Sequence, residues 1–158
     1  MAYVITSPEW LEIDGVPLST PAWETTDASE LWSSPDVRGT DLVIPGAAGV
    51  RPYPRRPTVT PVTVELAVVG DTAPDGTARP EPRAGLATNC ALLEALVGPN
   101  GVDADGTRLA VLHYAPGGPA PDRRGRVHVL RIRFARQGPN YATGQLELSI
   151  PAGALAPS

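Results

Sequence analysis

Alternation of apolar and polar positions predicts several β-strands in this chain. Residues 62–69 alternate at first and then run apolar, which is typical of a buried strand. Residues 143–150 bring Leu146, Leu148 and Ile150 to one side, so we expect these side chains to face a core. Shorter strands are predicted at residues 10–13 and 16–18, joined by a hairpin turn at Asp14-Gly15, and at 22–25, 40–44 and 107–115, with a turn of helix at 29–32.

Residues 125–137 form the longest predicted strand. One side carries His128, Leu130, Ile132 and Phe134, and the other carries Val127, Val129, Arg131 and Arg133. Strict alternation places these two sets on opposite faces, one buried and the other mixed.

One segment, residues 84–97, has the spacing of a helix that packs on its apolar side. The apolar positions recur at i, i+4, i+7 and i+11, as Leu86, Cys90, Leu93 and Val97. Gly98 follows as a stop signal. Several strands, one helix and then three strands predict a mainly β fold, an antiparallel β-sandwich or partly open barrel with one packed α-helix.

Residues 45–61 are interrupted by prolines. They stand at Pro45, Pro52, Pro54, Pro57 and Pro61. Because proline cannot donate to a sheet ladder, a central strand is excluded here. We expect an extended, polyproline-like arm or an edge strand, carried by a single domain over residues 1–158.

Charge is distributed unevenly along the chain. The net charge is −4, and residues 1–50 hold eight acidic side chains against one arginine, whereas residues 51–136 hold twelve arginines against eight acids. The acidic balance argues against a nucleic-acid binder. The asymmetry suits head-to-tail contact between copies, the alternative being a solvated surface of mixed sign. All 13 basic residues are arginine, which indicates a GC-rich genome such as that of an actinobacterium or its virus.

Residues able to carry catalysis are few. Cys90 is the single cysteine, and His113 and His128 are the two histidines. A thiol on the apolar side of a helix is usually inert, and no short His/Cys/Asp spacing predicts a metal site. Residues 101–106 lack the later acidic ligands of a calcium loop, and residues 45–49 lack the lysine of a phosphate loop. We expect no enzyme, no metal and no cofactor, and no apolar run reaches the roughly 18 residues of a membrane span.

The order of these features resembles the distal tail proteins of long-tailed bacteriophages. The resemblance spans residues 9–151 and rests on the hairpin at 11–18, the Pro-Gly-x-x-Gly element at 45–49, the strand at 62–70 and the helix at 86–97. It implies a tail-tube-like subunit of a homohexameric ring that joins the tail tube to the tail tip. It also implies tail tube and tail tip or baseplate hub proteins as partners, DNA passing through a central channel, and a location in the virion.

Other functions stay open at this point. Larger family members carry a second, C-terminal domain; we expect none in these 158 residues, so the resemblance does not extend to receptor or carbohydrate binding through such a domain. A tail terminator, a connector or another minor tail protein on the same fold is an alternative. A small binding module for carbohydrate or peptide is an alternative of another class, with Trp10, Trp23, Trp32 and Tyr53 as its aromatic platform.

Candidate subunit contacts concentrate in the arm. They are Pro45, Gly46, Gly49, Arg51, Tyr53, Arg55 and Arg56. Because a guanidinium group matches a carboxylate in shape and charge, we expect the arm to dock on the acidic residues 1–50 of a neighbouring copy. The alternative is a surface loop with solvated arginines, which would contribute little energy.

Overall fold

A computed structural model describes residues 9–32, 37–38, 42–43, 45–46, 48–51, 56–57, 60–98, 109–117 and 120–157. Its strands are β1 (Trp10–Ile13), β2 (Val16–Pro17), β3 (Trp23–Asp27), β4 (Val37–Arg38), β5 (Leu42–Val43), β6 (Val50–Arg51), β7 (Arg56–Pro57), β8 (Thr60–Val69), β9 (Ala110–Ala115), β10 (Arg123–Arg136), β11 (Tyr141–Ile150) and β12 (Ala156–Pro157). A 3₁₀ helix covers Ser29–Trp32, and helix α1 covers Pro82–Val97.

The main sheet is antiparallel and curls into a half-barrel. Its strand order is β2-β1-β9-β10-β11-β8-β3, and β12 pairs with the start of β10. Strand β10 belongs to both halves of the curl, because residues 123–127 pair with β9 and residues 128–136 pair with β11. The predicted mainly β fold with one packed helix is confirmed.

The hairpin between β1 and β2 has the turn that its sequence predicts. Asp14 has φ 49° and Gly15 has φ 80°, so both residues lie in the left-handed region. A two-residue hairpin loop needs this backbone conformation, and Asp-Gly adopts it at low cost. The strands that it joins run from Trp10 to Pro17, as expected.

A β-bulge interrupts strand β10 at Leu130. Val129 pairs with Leu148, and Arg131 pairs with Glu147, the residue next to Leu148, so that Leu130 is the extra residue on its strand. A bulge of this kind bends the strand and sharpens its twist. The half-barrel therefore turns close to Leu130, and this side chain is 53% exposed.

The bulge also reverses which positions of β10 face the core. Val127 and Val129 are buried before it, whereas Ile132 and Phe134 pack against the core after it. The strict alternation predicted for residues 125–137 is wrong here, because one inserted residue moves all later side chains to the other face.

The core lies between the inner faces of the curled sheet and the helix. On β11, Leu146, Leu148 and Ile150 are buried, as their spacing predicts. The core residues of the neighbouring strand β8 are Val62, Val64, Leu66 and Val68. Apolar burial of this kind is the main stabilising contribution in a domain of this size.

Helix α1 packs on the sheet through the positions that the sequence predicts. Leu86, Leu93 and Val97 are buried, and Cys90 is half-buried against the core. The helix begins at Pro82, two residues before the predicted start of residues 84–97. Proline is favourable in the first turn because it has no amide hydrogen that would need a partner.

A fully buried Asn89 ties the helix to the sheet. Its Nδ2 donates to the carbonyl oxygens of Val69 (2.6 Å) and Thr72 (2.8 Å). Its Oδ1 accepts a hydrogen bond from Nη2 of Arg79 (3.0 Å). One side chain thus satisfies two backbone carbonyl groups near the end of β8 and positions an arginine beside the helix.

Two short ladders lie nested in the segment 37–57. Strand β4 pairs with β7, and β5 pairs with β6 between them, both antiparallel. Strands β6 and β7 fall within the segment predicted as an arm or edge strand. The return turn includes Gly46 and Gly49, whose φ values of 79° and 87° favour glycine.

Candidate subunit-interface surfaces

Four strands of the half-barrel form a sheet with two edges. In the order β10-β11-β8-β3, residues 131–136 of β10 lie at one edge and β3 lies at the other. Within the described part of the chain, no strand pairs with the outer side of either edge. An edge of this kind can pair with another strand, although at the start of β3 the carbonyl oxygen of Trp23 already accepts a hydrogen bond from the Thr20 amide (2.7 Å).

The edge formed by β10 is basic. Its Arg131, Arg133 and Arg136 are all exposed, and we call them the basic edge. Arg131 makes two hydrogen bonds to Glu147, Nε to Oε2 (2.5 Å) and Nη2 to Oε1 (3.0 Å), while Nη2 of Arg133 donates to the same Oε1 (2.9 Å). The hydrogen bond from Arg131 lowers the pKa of the Glu147 carboxyl, and Arg133 adds to the effect. One carboxylate cannot neutralise three guanidinium groups, so this edge remains positive.

The opposite edge is acidic. Glu24 and Asp27 lie on β3, Glu65 lies beside them on β8, and Glu30 follows in the 3₁₀ helix, and we call these four the acidic edge. The Ser29 amide donates to Oδ1 of Asp27 (2.8 Å), and this hydrogen bond lowers the pKa of that carboxyl.

Residues paired across neighbouring strands form rows that run from the basic edge to the acidic edge. Arg133 pairs with Gln145, Gln145 pairs with Glu65, and Glu65 pairs with Asp27. These four residues therefore form one row that is basic at one end and acidic at the other.

A second row lies next to the first. Arg131 pairs with Glu147, and Glu147 pairs with Thr63. The Thr63 amide donates to Oε2 of Glu30 (2.5 Å), which places the 3₁₀ helix at the end of this row. The second row too has an arginine at the edge of β10 and a carboxylate at the opposite edge.

Trp32 ends the 3₁₀ helix with its ring held outward. The side chain is 65% exposed, and its Nε1 donates to Oη of the buried Tyr114 (2.5 Å). Tyr114 donates in turn to Oε1 of Glu9 (2.7 Å). Burial, with this hydrogen bond to Glu9, raises the pKa of Tyr114 to about 12, so the phenol stays protonated at neutral pH. The chain of hydrogen bonds fixes the orientation of the indole.

Five of the seven residues proposed from the sequence for subunit contacts are described, and they fall in or between strands β5, β6 and β7. Pro45, Gly46 and Gly49 are exposed in or near its turn. Arg51 ends β6, and Arg56 begins β7. The remaining two, Tyr53 and Arg55, lie outside the described residues. Their role in an interface stays a prediction.

Of the four aromatic residues considered as a platform for a carbohydrate-binding module, Trp23 is not available at the surface. Trp23 is buried, and its Nε1 donates to the carbonyl oxygen of Pro17 (3.1 Å), so its ring belongs to the core. Trp10 is partly exposed, and its Nε1 donates to Glu12 (3.4 Å). Tyr53 lies outside the described residues.

The Cys90 thiol packs against the core, and the His113 imidazole lies between two carboxylates. Burial raises the pKa of the Cys90 thiol, which disfavours the nucleophilic thiolate. The ring of His113 lies between two carboxylates, with Nδ1 3.3 Å from Glu12 Oε1 and Nε2 3.2 Å from Asp122 Oδ2. Among the described residues, no group of three or more His, Cys, Asp or Glu side chains could hold a metal ion.

Surface hollows lie along strand β3. Hollows of about 490, 470 and 300 Å³ each include residues of this strand, and all three are open to solvent. Their linings mix polar side chains such as Thr20, Glu24 and Thr26 with apolar ones, and the third hollow is lined mainly by apolar residues, among them Trp23 and Tyr141. These three open hollows provide contact area beside the acidic edge, and none of them encloses a small molecule.

Comparison with known proteins finds a solved structure of similar fold. Neither a protein-family model nor a curated protein sequence matches the chain. The crystal structure of SPP1 Dit (gp 19.1), described as a paradigm of the hub adsorption apparatus in phages that infect Gram-positive bacteria, matches with a TM-score of 0.54 and 12% sequence identity. The chain has a phage tail protein fold. The match covers 92% of this chain and 50% of the SPP1 chain, so the chain spans about half the length of its structural neighbour.

This likeness concerns the fold and assigns no role to any residue. At 12% identity it establishes the fold alone. Within the described residues, no helix is long and apolar enough to cross a membrane. Because one fold can carry many functions, function depends on the surfaces of the protein.

Proposed function

We propose that this chain is a structural subunit of a phage tail, a distal tail or minor tail protein that forms a homohexameric ring between tail tube and tail tip. The observation that carries the proposal is the pair of edges on one four-stranded sheet, one basic and the other acidic. A protein with complementary surfaces on opposite sides can bind its own copies head to tail, and such contacts close into a ring when the rotation between copies allows it.

Strand direction supports this arrangement. Each neighbouring pair in the order β10-β11-β8-β3 is antiparallel, so β10 and β3 of one copy run in opposite directions. In a ring of equally oriented copies, β10 of one copy therefore runs antiparallel to β3 of the next. Antiparallel edges can form backbone hydrogen bonds, while the side chains of the two edges supply electrostatic specificity.

The proposed partners follow from the proposed position. The ring contacts the tail tube protein on one side and tail tip or baseplate hub proteins on the other, and DNA passes through its channel as cargo. The protein is then a virion component of a phage whose host has a GC-rich genome, and it acts without a cofactor. The hairpin of β4–β7 reaches a neighbouring copy and adds a second contact, through Arg55 and Arg56.

A tail terminator or connector on the same fold would also assemble into a ring. Labelling the protein in intact virions and locating it by electron microscopy distinguishes these positions. A label at the junction of tube and tip supports a distal tail or minor tail protein, and a label at the head-proximal end of the tail supports a terminator.

Charge reversal tests the proposed assembly. Arg131→Glu with Arg133→Glu makes the basic edge acidic, and Glu24→Arg, Asp27→Arg and Glu65→Arg together make the opposite edge basic. Each variant alone presents like charges across the interface, so we expect monomers by native mass spectrometry. A one-to-one mixture restores opposite charges at every contact, and we expect it to form rings of alternating subunits.

A matched control lies on the same strand. Arg124→Glu with Arg126→Glu reverses two exposed charges on the half of β10 that already pairs with β9. This control should assemble like the unmodified protein. Rings formed equally well by the Arg131 and Arg133 double variant, or a monomeric unmodified protein at all concentrations, would contradict the proposal.

A further inference from the structure

The two most exposed large hydrophobic side chains in the described part of the chain lie at opposite edges of the same sheet. Trp32 is 65% exposed beside the acidic edge, and Leu130 is 53% exposed beside the basic edge. Tryptophan in particular is enriched near the centre of protein interfaces, where it packs against apolar groups of the partner. Their positions at two opposite edges suggest a contact between copies.

The chain segments that carry both side chains lie at opposite ends of the second row. Leu130 precedes Arg131, which begins the row that ends at Glu30. Trp32 lies two residues beyond Glu30 in the 3₁₀ helix. When two copies stand side by side without a vertical shift, the Leu130 end of one therefore meets the Trp32 end of the other.

The same placement aligns the charges of both rows. Arg131 comes opposite Glu30, and Arg133 comes opposite Asp27, so each arginine of one copy meets a carboxylate of the next. A vertical shift that separated Leu130 from Trp32 would also break both charge pairings. Apolar contact and charge complementarity thus favour one register.

We infer that Leu130 of one copy packs on the indole of Trp32 in a second copy, as the apolar anchor that sets the register of the interface. This inference rests on the proposed self-assembly. The β-bulge holds Leu130 away from its own core, and the hydrogen bond to Tyr114 holds the Trp32 ring in place. Both partners are preorganised, so little side-chain freedom is lost when they meet.

Cysteine cross-linking tests the contact directly. Leu130→Cys and Trp32→Cys are combined in a Cys90→Ser background, and the protein is oxidised at a concentration where it assembles. We expect covalent multimers on a denaturing gel. The matched control combines Val111→Cys with Trp32→Cys, because Val111 is also an exposed strand residue, 45% exposed, but lies on β9. We expect the control to give no multimers.

A second measurement does not depend on changing Trp32. Leu130→Ser should raise the concentration of half-assembly by at least about tenfold, as expected for a central apolar anchor. Val111→Ser should leave that concentration unchanged, and circular dichroism should show both variants folded.

The outcomes separate this inference from the proposed function. The inference is overturned if rings form without Leu130–Trp32 cross-links and Leu130→Ser assembles like the unmodified protein. The proposed function is then unaffected. Unmodified protein that remains monomeric in all conditions overturns both. Cross-links in the test pair alone, with weaker assembly of Leu130→Ser, support the contact.

Discussion

Replacing Asn89 by alanine should destabilise the domain strongly, although the residue lies on a helix and is polar. The side chain is fully buried and makes hydrogen bonds to the carbonyl oxygens of Val69 and Thr72 and to the guanidinium group of Arg79. Asn89→Ala removes these partners and leaves buried polar groups without them. Each such group costs about 1–3 kcal/mol, so we expect a loss of about 3 kcal/mol in the free energy of unfolding.

Thermal and urea unfolding followed by circular dichroism measure this loss. For a chain of this length, about 3 kcal/mol corresponds to a melting temperature lower by roughly 6–12 °C. The control is Thr88→Ala, which removes an exposed hydroxyl that donates to the Ala84 carbonyl oxygen within the same helix (3.0 Å). That variant should stay within about 0.5 kcal/mol of the unmodified protein. A loss below about 1 kcal/mol for Asn89→Ala would refute the assignment of Asn89 as the tie between helix and sheet.

Three further predictions concern the helix, its thiol and the hairpin. Leu93→Asp buries an unpaired carboxylate, so it should abolish folding as judged by circular dichroism. The control Leu92→Asp, on the exposed side of α1, should fold. A folded Leu93→Asp variant would show the helix to be peripheral. Cys90→Ser should keep assembly intact at a cost of about 1–2 kcal/mol in urea unfolding, and loss of virion activity by a well-assembled variant would argue for a chemical role. Arg55→Glu with Arg56→Glu should leave the melting temperature unchanged and weaken the oligomer in sedimentation experiments; assembly at wild-type concentration and salt would leave the hairpin without the proposed contact.

The proposed function depends on an arrangement of charges that the linear sequence indicates only in part. The sequence has an acidic first third and a more basic middle, which predicts contact between copies. That asymmetry does not say which side chains lie at an edge. The fold brings Arg131 and Arg133 to one edge and Asp27 to the other because β10 and β3 are the outer strands of the same four-stranded sheet. Folding thus converts an uneven charge distribution into two complementary edges.

The sequence by itself determined the elements whose signal is local. The Asp14-Gly15 turn, the buried face of β11 and the apolar side of α1 follow from backbone preferences and from the periods of strand and helix. The mainly β fold with one packed helix follows from the order of these elements. Each of these features depends on residues close together in the chain, so a short window contains the information.

Only the tertiary structure decided the features that depend on distant residues. The bulge at Leu130 lies within the pairing of β10 with β11, shortly after β10 stops pairing with β9, and no local pattern marks the residue where the register shifts. Asn89 looks like an ordinary polar helix position until the end of β8 supplies two carbonyl groups beside it. The rows that connect Arg133 to Asp27 pass through three strand pairings. Strand neighbours are set by packing of the whole core, and a sequence read in short windows contains no such information.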